Sequence, residues 1–148
     1  MGSNTEAARQ GSPGRKIMAD TMTSGEMAAH RRRNGILLLP LGCFEMHGVQ
    51  VGMSCDSFIA EAACIHAARE WDAVVLPTIH YTFPGATSPW PGSVAVRPEE
   101  TFRYVKAVVE AILRNGFKKL VLCSLHGPSG FCLLYTSPSP RDLSTSRM

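Results

Sequence analysis

Four apolar side chains, Ile36-Leu37-Leu38-Leu39, follow one another after the turn signal Asn34-Gly35. An unbroken run of this kind predicts a strand buried on both faces of a parallel sheet. Similar runs recur at Ala73 to Leu76, closed by Pro77, and at Phe117 to Cys123. Between the first two, Ile59, Ala62, Ala63, Ile65 and Ala67 carry helical spacing, and Asp56 or Ser57 is placed to cap the start. Before the third, Pro98 suits a first helical turn, and Phe102, Val105, Val108, Val109 and Ile112 form an apolar stripe that ends at Asn115-Gly116. Upstream, Thr23 and Glu26 have capping-box spacing, predicting a short helix that runs through Arg31-Arg32-Arg33 to Asn34-Gly35. The basic run then reads as a solvated helix end that suits the helix dipole. Val94-Ala95-Val96 could add a short strand, and the proline-rich stretch from Thr78 to Ser93 reads as a shaped loop. The order β-α-β-loop-α-β predicts an α/β fold in three layers, with a mainly parallel central sheet and helices on both faces.

Composition limits what such a domain can do. The chain has 148 residues, 45% hydrophobic and 18% charged, with a formal charge of +3. No broad basic face with interleaved aromatics is present, so no nucleic-acid partner is expected. No apolar run reaches the ~18 residues of a membrane span, and the N-terminus lacks a signal-peptide core, so no membrane partner and a cytoplasmic location are expected. The five cysteines, Cys43, Cys55, Cys64, Cys123 and Cys132, lack C-x-x-C spacing and read as small buried thiols, with thiolate ligation by Cys43 or Cys55, which flank the Glu45 and His47 stretch, as the lesser alternative. Residues 1 to 20 are polar and Gly/Pro-punctuated, as in a disordered leader.

Chemistry concentrates where strands end, which in parallel sheets is where ligands bind. Glu45 and His47 follow the first apolar run, Asp56 stands at the next helix start, and His126-Gly127 follows the third run. Alternate residues of an extended stretch share a side, so Glu45 and His47 can face one point. Carboxylate and imidazole donors suit Zn²⁺, Mn²⁺ and related ions. A polar loop with internal hydrogen bonds would account for the same residues. His66, within the predicted helix, reads as an ordinary helical histidine.

The stretch L-P-L-G-C-F-E-M-H-G-V-Q-V-G-M-S-C-D, Leu39 to Asp56, resembles the creatininase (creatinine amidohydrolase) motif L-P-x-G-S-x-E-Q-H-G-P-H-L-P-L-G-T-D without a gap. W-P-G-S, Trp90 to Ser93, is similar to the family's F-P-G-T, and N-G-F-K-K-L-V-L-C-S-L-H-G to its H-G-F-(R/K)-x-(I/V)-x-x-x-N-G-H-G-G-N. The likeness covers about residues 23 to 131. It implies that Glu45, His47, Asp56 and His126 are metal ligands, with Asp56 bridging two ions, Zn or Mn. It further implies hydrolysis of a cyclic amide or related C–N bond of a small-molecule substrate by a metal-activated water, with Trp90 and Gly127 near the substrate, in a homo-oligomer, usually a hexamer. Met46 stands where the family has Gln, and Val49-Gln50 where it has Pro-His. Pro84 falls at a Ser position, Thr87 at a His position, and Gly127-Pro128-Ser129 replaces Gly-Gly-Asn or Tyr-Glu-Asn. Pro128 cannot supply a carboxylate, so a remaining ligand would have to come from further along, and creatinine is not the expected substrate. A non-catalytic binding or assembly protein on the same scaffold is the alternative.

From Cys132 to Met148 the composition turns to Ser, Thr, Pro and Arg without periodicity. C-L-L-Y-T-S-P-S-P-R-D, three variable residues and S-R-M resemble a translated transposon-end sequencing adapter. Residues 132 to 148 are therefore expected to be a non-native tail. Residues 21 to 131 are then expected to be the N-terminal part of a longer domain, inactive by itself.

Overall fold

The structure, a computed structural model, describes residues 15–128. Its regular elements are α1 (Ser24–Arg33), β1 (Ile36–Leu41), α2 (Cys55–Trp71), β2 (Val74–Val75), α3 (Pro98–Arg114) and β3 (Lys119–Ser124). The strands form one parallel sheet in the order β2-β1-β3. β1 meets β2 through Leu37↔Val74 and Leu38↔Val75, and β3 from Ile36↔Lys119 to Leu41↔Ser124.

The alternation of β1 sorts its neighbours. Leu38 packs against Cys64 and Ala68 of α2, whereas Leu39 and Leu41 pack against Val105 of α3. Leu37 joins Val74 and Phe117, with Met27 of α1 and Ile112 of α3 against them. Helices therefore cover both faces, as required when the β1-to-β2 and β2-to-β3 crossovers share one hand and run in opposite directions across the sheet. Pro40 lies inside β1 and has no N–H to donate; the ladder on that side pauses between Leu76 N to Leu38 O (2.8 Å) and Ile79 N to Pro40 O (3.0 Å).

Several elements match expectation, and several differ for identifiable reasons. The capping box of α1 is complete, with Thr23 and Glu26 bonding reciprocally. The apolar stripe predicted for α3 faces the sheet, with Val105 buried and Val108, Val109 and Ile112 beside it. In α2 the predicted stripe holds only in part: Ile65 and Ala67 pack at the edge of the core, but the fully buried side carries Asp56, Ser57, Ala60, Cys64 and Ala68, while Ile59 and Ala62 are exposed. Small side chains let this helix lie close to the sheet, a choice that apolar periodicity does not reveal. Asp56 and Ser57 do not cap α2 either; Ser54 is its N-cap, without a side-chain bond, and Asp56 lies in the first turn.

Val94-Ala95-Val96 is not a strand. It is tied by single bonds, Val94 N to Phe44 O (3.0 Å) and Val96 N to Thr82 O (3.4 Å). The basic run is more than a solvated end, because Arg33 clamps Asp72 (3.0 and 3.1 Å), Arg31 donates to the Asn115 carbonyl, and the buried His30 lies 2.9 Å from Ile36 O. The Arg33 hydrogen bond holds the Asp72 carboxyl below its ordinary value. Order also begins before residue 21, since Val75 N donates to Ile17 O (2.8 Å) and Arg15 pairs with Asp72 (2.6 Å). Residues 1–14 of the leader expected over 1–20, and the tail expected over 132–148, lie outside the described residues. Among the described residues no helix is long and apolar enough to cross a membrane.

Candidate metal centre

The site forms where β1 and β3 end side by side, outside the carboxyl ends of two paired parallel strands, which is where ligands of such sheets bind. The chain leaving β1 has no regular secondary structure and is pinned at almost every step. Gly42 N donates to Ile79 O (2.8 Å), the buried Thr82 hydroxyl donates to Gly42 O (2.7 Å), and Glu45 N donates to Met53 O (3.0 Å). Met46 N donates to Ser93 Oγ (3.0 Å), which gives the W-P-G-S stretch a structural role. The absence of a side chain at Gly42 sets the helix position. A Cβ there would lie 2.6 Å from Ser57 N and closer still to its Cα and Oγ, so only glycine lets the first turn of α2 reach β1 and deliver Asp56.

Glu45, His47 and Asp56 then converge, their ligand atoms all within 4.8 Å of one another. His47 Nε2 lies 3.4 Å from Asp56 Oδ1 and 4.0 Å from Glu45 Oε1. From β3, His126 brings its Nε2 to 3.0 Å from Glu45 Oε1. Glu45, Asp56 and His126 are buried, and His47 is partly exposed. All four predicted ligands therefore meet, on two strand exits and one helix start. A second set, Cys43, Glu45 and His126, satisfies the same 4.8 Å limit. Glu45 is common to both sets. Burial pushes the Cys43 thiol up to about 11, with the Glu45 and Asp56 charges adding to the rise against the Thr82 hydrogen bond.

Hydrogen bonding indicates what these atoms suit. His47 Nδ1 lies 3.1 Å from the Glu45 carbonyl oxygen. A proton on Nδ1 satisfies that contact and leaves the Nε2 lone pair facing two carboxylate oxygens. Asp56 Oδ2 is buried and makes no hydrogen bond. Among the described residues neither carboxylate is paired with Lys or Arg; their ion-pair partners are histidines. Converging lone pairs in a buried pocket are costly unless a cation or an added proton sits among them. The donor set of carboxylates and imidazoles fits Zn²⁺ or Mn²⁺.

Sequence reading missed the residues that hold this set. Thr87 donates its hydroxyl to Glu45 Oε2, and it lies 3.0 Å from Pro84 O. Thr82 and Ser93 act on the backbone of the β1 exit, and hydroxyl residues in a loop give no warning of such partners. Trp90, half exposed, lies between Thr87 and Ser93 in sequence, and its backbone N–H donates to Thr87 O (3.1 Å). Gly127 is exposed, and a Cβ there would meet nothing within 4 Å. The neighbouring Pro128 approaches Gly85, which joins the β3 exit to the proline-rich loop.

The profile of the family described as "Creatininase: Creatinine amidohydrolase" matches residues 20–133. A creatinine amidohydrolase of Pseudomonas putida is 27% identical over 96 residues, covering 62% of this chain and 37% of that protein. A 3-dehydro-scyllo-inosose hydrolase of Thermotoga maritima is 26% identical over 112 residues, 75% of this chain and 36% of its own length. Among solved structures, one titled "Creatininase Mn" superposes with a TM-score of 0.76 at 23% identity, over 81% of this chain and 49% of the other. The chain thus spans little more than a third of the curated relatives' length.

Proposed function

The chain belongs to the creatininase family, and from that premise we propose that it is part of a divalent-metal-dependent amidohydrolase acting on a cyclic amide or related C–N bond. The observation that carries this reading is the convergence of the His47 and His126 Nε2 atoms on the Glu45 and Asp56 carboxylates, with Asp56 Oδ2 buried and lacking a hydrogen bond. Glu45, His47, Asp56 and His126 would hold Zn or Mn, two ions per site, with Asp56 the carboxylate that the resemblance implies both ions would share. A divalent ion, when bound, supplies a nucleophilic water at neutral pH and polarises a carbonyl. The chain's own groups orient that chemistry. The Glu45 carbonyl fixes the His47 tautomer, and Thr87 fixes the Glu45 carboxylate. Trp90 and Gly127 line the substrate side. The two curated relatives are named for different substrates, creatinine and 3-dehydro-scyllo-inosose, so membership does not fix what is hydrolysed.

Four ligands and no carboxylate at Pro128 lead us to expect that the 148-residue chain binds metal without turning over substrate. Exposed Phe58 and Ile59 on α2 give a homo-oligomer, a hexamer by resemblance, an apolar surface to bury. The free thiols Cys43, Cys55, Cys64 and Cys123 suit a reducing, cytoplasmic setting. The alternative, a non-catalytic binding or assembly protein, draws on Pro84 and Thr87 at positions where the family places Ser and His.

Metal analysis and turnover on a panel of cyclic amides and lactams, made on a full-length version, test both readings. Bound Zn or Mn that is lost in Glu45→Ala, with turnover lost in His47→Ala, is the expected result. Protein that carries no metal and is indifferent to Glu45→Ala would overturn the metal centre. Metal without turnover would favour the binding protein.

A further inference from the structure

From sequence Cys43 reads first as a small buried thiol and only second as a thiolate ligand, and the resembling motif has serine at that position. In the fold it is wholly buried, and its Sγ lies within 4.8 Å of ligand atoms of both Glu45 and His126. Its described hydrogen bond is a long S–H contact to Thr82 O at 3.9 Å, so little else constrains the sulfur. Cys43, Glu45 and His47 are alternate residues, and the first and last each share a convergent set with Glu45. The β1 exit therefore presents sulfur, carboxylate and imidazole in succession to one side. Two sets result, which share Glu45 and differ in hardness: Cys43, Glu45 and His126 on the β3 side, and Glu45, His47 and Asp56 on the α2 side.

Resting on the metal centre proposed above, we propose that Cys43 is itself a metal ligand. Its thiolate would bind one ion together with Glu45 and His126 and would make the two metal positions unequal. Sulfur donors favour Zn²⁺, Co²⁺ and Cd²⁺, whereas an all-oxygen and nitrogen set accommodates Mn²⁺. Binding forms one metal–sulfur bond and releases the thiol proton to solvent. The β3-side position is thus the thiophilic one, and the α2-side position tolerates the harder ion.

The test is a titration of the metal-free 148-residue chain with Co²⁺, followed by absorption. The expected result is a near-ultraviolet sulfur-to-cobalt charge-transfer band beside the visible d–d bands. That band should vanish in Cys43→Ser and persist in Cys55→Ser. Cys43→Ser should also weaken Cd²⁺ binding at least about tenfold while changing Mn²⁺ binding less than about twofold. X-ray absorption on the zinc-loaded wild-type chain needs no variant, and it should show one sulfur near about 2.3 Å. Visible bands without the charge-transfer band, or zinc surrounded only by nitrogen and oxygen, would overturn the thiolate ligand and leave the four-residue centre standing. A band lost in Cys55→Ser instead would overturn the assignment to Cys43. No Co²⁺ binding at all would overturn the centre and this proposal together.

Discussion

The two strand exits that build the site differ in how they are held. The exit of β1 is buried and bonded at Gly42, Phe44, Glu45 and Met46, and the strand behind it is flanked by Val74 and Val75, both almost fully covered. The exit of β3 delivers a single ligand, His126, from a strand in which Val121 and Leu122 are 41% and 37% exposed, with Leu125 exposed beyond it. Parallel strands are ordinarily buried on both faces. Among the described residues, the difference teaches that the candidate centre combines a well-covered, hydrogen-bonded side, carrying Glu45, His47 and Asp56, with a less covered side carrying His126.

The largest effect that would break this picture is Gly42→Ala. The added methyl collides with the backbone of Ser57, so a loss of about 3 kcal/mol or more is expected in denaturant unfolding. A near-silent result would show that the β1 exit is not rigid. Truncating the strands themselves sharpens the contrast. Val75→Ala should cost about 2 kcal/mol and Val121→Ala about 0.5 kcal/mol, because only the first empties a closed core. Equal costs in thermal melts would erase the distinction between the two sides. Thr87→Val, which removes the hydroxyl on Glu45, should weaken Zn²⁺ binding about tenfold by isothermal titration while leaving the melting temperature nearly unchanged.

The smallest expected effect lies far from the site and serves as a reference. The Thr23 backbone hydrogen bond, then the Lys16 contact, lowers Glu26 from 4.5 to about 2. A depressed carboxylate stabilises the fold fully above its unfolded value and loses that contribution as pH falls through the folded one. The advantage of wild type over Glu26→Gln should therefore be present above pH 4.5 and fade toward pH 2 in melts across that window. A constant gap would show that the capping charge plays no part.

Much of the fold was legible because three apolar runs and two stop signals, Asn34-Gly35 and Asn115-Gly116, carry their own meaning. β1, α1 and α3 follow local rules of burial, capping and stripe. The facing of α2 did not, because its apolar residues lie all round and its sheet side is selected by smallness, through Gly42 against Ser57. Glu45, His47, Asp56 and His126 were legible through residue type at strand ends and helix start together with three motifs in order. Thr82, Thr87 and Ser93 were not, since their partners are Gly42 O, Glu45 Oε2 and Met46 N, up to 47 positions away. Cys43 stands beside the ligand stretch in sequence, as Cys55 does, and nothing local distinguishes a thiol that packs from one that faces donors.

The glycine at the β1 exit has a consequence for how such a site could diversify. Where main chain rests on main chain, no choice of side chain can widen or narrow the gap between β1 and α2, so the spacing of Glu45 and Asp56 is not an adjustable dimension. On the proposed function, what can be retuned is the opposite side, the segments around Thr87, Trp90 and Gly127. A change of substrate would then have to be written there, around a proposed metal seat whose near side is the same for every occupant.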